Sequence, residues 1–129
     1  MAARTHNAGP SGDSQPATET ARIARYMAGQ SAGQCGPCVF GLPAIAADLE
    51  RLWAAAAEPG LLGRIERRAA TVDGRGACRH PDGVARLVRS ALAVFGDDAR
   101  AHAAGRPCAA HVAPTVLRFP AEHRSPEAP

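Results

Sequence analysis

The chain has 129 residues, 4% of them aromatic, and carries a net charge of +3 with arginine as every one of its 15 basic side chains. One domain is the simplest organisation, nucleic acid is an unlikely partner because arginines are scattered with little aromatic interleaving, and no apolar run of about eighteen residues exists to cross a membrane. The N-terminus lacks the apolar core of a secretory signal, so the expected location is the cytoplasm, where four cysteines point to metal, cluster or thiol chemistry rather than structural disulfides.

In chain order, residues 1–16 are small, polar and turn-forming and are expected to be a disordered tail. A helix is predicted from about Ala17 to Ala28, capped by Thr18 or Thr20, with Ile23, Tyr26 and Met27 facing inward. Gly29 and Gly33 end it and lead into a turn that bears Cys35 and Cys38. A second helix is predicted from Pro37 or Pro43 to about Ala57, where Leu42, Ile45, Leu49, Leu52 and Trp53 form one apolar stripe. Glu58-Pro59-Gly60 stops it. A third covers about Leu61 to Val72, with Leu61, Leu62 and Ile65 inward and Arg64, Glu66, Arg67 and Arg68 mostly outward.

The turn Asp73-Gly74-Arg75-Gly76 then delivers Cys78. A fourth helix is predicted from Pro81-Asp82 to about Ala104 on the stripe Val84, Leu87, Val88, Ala91, Leu92 and Phe95. Residues 106–129, with Pro114, Pro120, Pro126 and Pro129, read as a Pro-rich tail. The expected fold is therefore all-α: a small antiparallel four-helix bundle over residues 17–105, with both cysteine loops at one end. A core of about ninety residues is marginal by itself and is expected to draw support from a cofactor, partner or covering subunit.

The run Gln30-Ser31-Ala32-Gly33-Gln34-Cys35-Gly36-Pro37-Cys38 places two thiols at the start of a helix. Free N–H groups and the helix dipole stabilise thiolate charge there, Pro37 loses no hydrogen bond in the first turn, and Gly36 lets the backbone approach a ligand. Arg75, Arg79 and His80 surround Cys78 with positive potential. Cys35, Cys38, Cys78 and His80 make a Cys₃His set that zinc could occupy, although the Cys-x-His spacing is tight and the long separation is unlike most zinc knuckles.

Cys-Gly-Pro-Cys is also the redox pair of thioredoxin-like proteins, a reading that needs a strand before the motif where this chain has a helix and a turn. A cluster-free helical interaction domain, its cysteines buried as small apolar residues, is a further alternative. Elsewhere, Trp53 reads as core, Asp97-Asp98 as a solvated face, and His102, His111 and His123 as surface. The arginines between Arg64 and Arg89 suit a docking face for a redox partner.

The run Thr20-Ala21-Arg22-Ile23-Ala24-Arg25-Tyr26, then Ser31-x-Gly33-x-Cys35-x-Pro37-Cys38, then Gly74-Arg75-x-x-Cys78, resembles the C-terminal iron–sulfur region of the NADH-binding flavoprotein subunit of NADH:quinone oxidoreductase. The resemblance extends from about Thr18 to Ala104. It implies a small helical bundle with one 4Fe–4S cluster, held by the pattern Glu-Ser-Cys-Gly-x-Cys-x-Pro-Cys and a fourth cysteine in a Gly-Arg-x-x-Cys turn.

By that likeness Cys35 and Cys38 match the second and third ligands and Cys78 the fourth. The first falls on Ala32, which cannot bind iron, and Gln30 stands where the family has glutamate. His80 ranks ahead of Cys108 as a substitute ligand, and an iron left open to water or a small ligand, or a 3Fe–4S cluster, are the other outcomes of a vacant corner. The implied role is an iron–sulfur electron-transfer module, without membrane insertion, that acts with a separate flavoprotein or ferredoxin. The family's flavin and NADH sites lie upstream, so the chain is not expected to oxidise NADH alone.

Overall fold

The computed structural model describes residues 15–56, 58–106 and 118–119. Among them are five α-helices, α1 (Gln15–Gly29), α2 (Leu42–Trp53), α3 (Leu61–Val72), α4 (His80–Val94) and α5 (Gly96–Ala103), and no strand. A π-helical stretch, Pro37–Gly41, runs directly into α2. Most of the expected tails, with Cys108, His111 and His123, lies outside the described residues.

The stripe on α2 makes it the central helix. Leu42, Ile45, Leu49 and Leu52 are fully buried, each contributing about 1.5–3 kcal/mol relative to an exposed side chain. The helix packs against α1, α3 and α5, while α4 packs against α1, α3 and α5. Leu61 and Ile65 from α3, Val84 and Val88 from α4, and Ala24 from α1 complete the core.

Several local expectations change. The first helix begins at Gln15, so Thr20 is buried within it rather than capping it. Its inward face is Ala21 and Ala24 with Met27 and Ala28, and Ile23 is only half-buried; small side chains let α1 lie close on its neighbours. The fourth helix is two. It breaks at Phe95 (φ −104°, ψ 28°) before Gly96, and α5 turns to bury Ala99 and His102. His102, expected on the surface, is 1% exposed and lies edge-on to Trp53, with ring centroids 5.1 Å apart.

Arg64 and Arg68 also depart from the outward reading. Both turn back onto Asp48, which is buried in the middle of the α2 stripe. Arg64 grips it in a fork (Nε and Nη2 at 3.1 and 2.8 Å) and Arg68 Nη1 donates at 2.7 Å. Arg68 Nη1 also donates to the Ala44 carbonyl, and Arg64 Nη2 reaches Glu58, which Arg51 holds as well. A buried carboxylate is tolerated only when paired in this way. The network pins α2 to α3.

Candidate functional site

The first cysteine turn hangs between α1 and the π-helical stretch. Gly33 takes a left-handed φ of +67°, a conformation that costs glycine little, and Ala32 beside it is exposed. Cys35 is partly buried against the core, and Cys38 is buried at 5% exposure in the first π-helical turn. The wide turn of a π-helix, a feature frequent at functional sites, is closed by the Leu42 N–H donating to the Pro37 carbonyl, and the Val39 N–H donates to the Cys35 carbonyl at 2.9 Å. Gly41 is pressed so closely on α3 that a Cβ there would lie 2.4 Å from Val72 Cγ1.

The second turn, Asp73–Arg79, is built by two glycines and a cap. Gly74 has φ +76° and donates its N–H to Asp82 Oδ1 at 2.7 Å. Gly76 faces Pro81, where a Cβ would sit 2.4 Å from the ring. The turn holds Cys78 exposed, with the His80 N–H directed at its sulfur at 3.5 Å.

The two turns meet. The backbone N–H groups of Ala77 and then Cys38, close to the Cys35 sulfur, draw its thiol below the ordinary cysteine range. Burial pushes the Cys38 thiol up, and its hydrogen bond with Cys35 and the charges of Cys35 and Cys78 push it further. Three sulfurs thus lie within electrostatic reach of one another, and backbone N–H groups face two of them. That is an environment suited to thiolate ligands.

The structure also ties His80 to α1. Its Nε2 lies 2.8 Å from the Met27 carbonyl, an acceptor, so Nε2 carries the proton and Nδ1 of the neutral ring keeps a lone pair. Arg75 and Arg79 are exposed, and Arg79 reaches only to 3.9 Å from Asp82.

The family model for the NADH-ubiquinone oxidoreductase-F iron-sulfur binding region matches residues 18–102. The chain belongs to this family. No curated protein and no solved structure matches it significantly. The matched span of this iron–sulfur binding region contains both cysteine turns, Ala32, His80 and nearly all of the five helices.

The residues present could offer an iron–sulfur group three thiols. Cys35, Cys38 and Cys78 come from two turns onto one end of the fold, while Ala32 offers only a methyl group. Among the described residues no three His, Cys, Asp or Glu side chains are gathered to hold one metal ion. A tetrahedral zinc with bonds of about 2.3 Å would draw its thiolates to about 3.8 Å from one another.

Sequence reasoning reached the three thiols but not the groups that orient them. The Ala77 N–H, the Met27 carbonyl and the Asp82 cap carry no residue-type signature; only Asp82, at the start of α4 after a Gly-rich turn, could have been suspected as a cap.

Proposed function

We propose that this chain is an electron-transfer module whose Cys35, Cys38 and Cys78 hold an iron–sulfur cluster, 4Fe–4S in type, and that it works with a separate flavoprotein or ferredoxin. The observation that carries the proposal is the meeting of the two cysteine turns at one end of the fold, where His80 of the second turn is tied to the Met27 carbonyl at the end of α1 and Cys35, Cys38 and Cys78 lie within electrostatic reach. It brings together two motifs far apart in sequence. The bound cluster supplies one-electron storage at a potential set by its charge, hydrogen bonds and exposure. The chain's own groups do the rest: the N–H groups of Ala77, Cys38 and His80 stabilise thiolate charge, and Arg75 and Arg79 add positive potential.

His80 completes the site. A ligating histidine ordinarily donates its second ring N–H to a carbonyl or carboxylate, and His80 already does so toward Met27, which leaves Nδ1 to coordinate. The test is anaerobic reconstitution with iron and sulfide, followed by metal analysis, absorbance and electron paramagnetic resonance (EPR). Iron and sulfide in matching amounts with broad absorption near about 400 nm are expected, with an altered EPR spectrum in His80→Ala. Ala32→Cys supplies the missing thiolate and should slow loss of iron in air.

Ala32 also favours a second reading, a cluster-free helical interaction domain. A colourless chain that binds neither iron nor zinc after reconstitution would establish it, and zinc alone would move the assignment to the Cys₃His set.

A further inference from the structure

Beside the cysteine turn the surface is apolar where a small bundle should be polar. Phe40 is 76% exposed and Val39 41%, both in the π-helical stretch that begins one residue before Cys38. The stretch places two large hydrophobic side chains outward while Cys38, immediately before them, points into the core. Exposed apolar groups clustered in this way mark interaction sites.

A cavity of about 410 Å³ opens beside Phe40, between the π-helical stretch and α3, with Pro37, Ala44, Thr71 and Val72 among its walls and Arg75 at its edge. No acidic side chain lines it. Arg68, which also borders it, is neutralised by Asp48. Arg75 makes no ion pair among the described residues, and Arg79, on the same turn, is 94% exposed with Asp82 3.9 Å away. The charge of Arg75, which no ion pair among the described residues offsets, therefore edges an apolar knob and an apolar hole.

We propose that this face docks an acidic protein surface which inserts one apolar side chain into the cavity beside Phe40. A small anion could fill the hole but would leave Phe40 and Val39 in water; a protein surface covers all three. Arginine with an aromatic anchor is the usual composition of an interface hot spot, and the opposite charge of the partner would set encounter and register. The proposal deepens the electron-transfer reading, because the docked partner would lie over the turns that carry Cys38 and Cys78. It remains testable without iron.

The probe is a synthetic heptapeptide of aspartate and glutamate with one central phenylalanine, titrated into the isotope-labelled, reduced, iron-free chain and followed by amide NMR shifts. Shifts confined to residues 36–44 and 68–79, weakening as salt rises, are expected. Phe40→Ser and Arg75→Glu should each weaken binding about tenfold, while Arg86→Glu, an exposed arginine on α4 that does not line the cavity, should leave it unchanged.

Absent or dispersed shifts would overturn the proposal, as would equal binding of the peptide with serine in place of phenylalanine. So would benzenesulfonate occupying the cavity when the peptide does not. Repeating the titration on the reconstituted chain separates the two ideas: peptide binding without iron uptake retires the cluster alone, and iron uptake without peptide binding retires this surface alone.

Discussion

The α2–α3 interface and the cysteine end are built on different principles, although Gly41 and Val72 join them directly. Between α2 and α3, fully buried Ile45, Leu49, Leu61 and Ile65 pack together, and Asp48 receives both Arg64 and Arg68. Side chains of this chain satisfy one another there, and nothing has to be added. At the cysteine end, left-handed glycines shape two turns, and backbone N–H groups are spent on sulfur. Thiols are weak acceptors, so those N–H groups gain their full partner only when the sulfurs are thiolates. A scaffold that closes on itself thus carries an end that a ligand would complete.

Breaking the cysteine end should leave the scaffold standing. In Cys78→Ser, an exposed position, reconstituted iron is expected to fall to background, while the iron-free chain keeps its circular dichroism and its stability within about 0.5 kcal/mol. Loss of helix in the iron-free variant would show that the two regions are not separable.

The converse change acts on the scaffold. Asp48→Ala strands Arg64 and Arg68, whose side chains are 34% and 39% exposed. Water can take over part of the lost pairing, so a destabilisation of about 2–3 kcal/mol is expected in urea unfolding, below that of a fully buried pair.

Gly41→Ala probes the seam between the regions. Its Cβ would fall 2.4 Å from Val72 Cγ1, and overpacking of this kind costs about 1–3 kcal/mol. The double variant with Val72→Ala should lose less than the sum of the two single changes, because one removes the clash that the other creates. Strict additivity in a double-mutant cycle would refute the close approach.

The smallest effect is a pH dependence at the far side of the Asp48 network. Arg51, and after it Arg64, hold the Glu58 carboxyl below the ordinary carboxylate range. A depressed folded-state pKa stabilises fully above the unfolded value of about 4.3 and fades as pH falls through the folded value. Urea midpoints of the wild type and Glu58→Gln should therefore differ slightly at pH 7 and converge in acid.

Amphipathic spacing was enough to read α2 and α3, because threes and fours of leucine and isoleucine can bury only one face of a helix. The two glycine-bracketed cysteine turns and their resemblance to the iron–sulfur binding region were equally legible, since turn chemistry and ligand spacing are local. The same logic misplaced what local chemistry does not encode. Arg64 and Arg68 read as outward until buried Asp48 of α2 draws both back onto itself. Ile23 outranks alanine in hydrophobicity, yet the close approach of α1 favours the small side chains of Ala21 and Ala24. His102 is buried because the chain breaks at Phe95 and swings α5 toward Trp53.

By itself, then, the sequence determined an all-helical domain, its principal apolar stripes, three candidate thiols and the alanine where a fourth ligand would stand. The first three follow from residue type and spacing along the chain, and the place of the alanine is what the family resemblance implies. Tertiary structure alone decided that the second cysteine turn meets the first, that the Met27 carbonyl orients His80, and that Phe40 stands in solvent beside the cysteines. Each depends on how separately formed segments pack, and backbone groups brought together in space leave no mark in the order of residues.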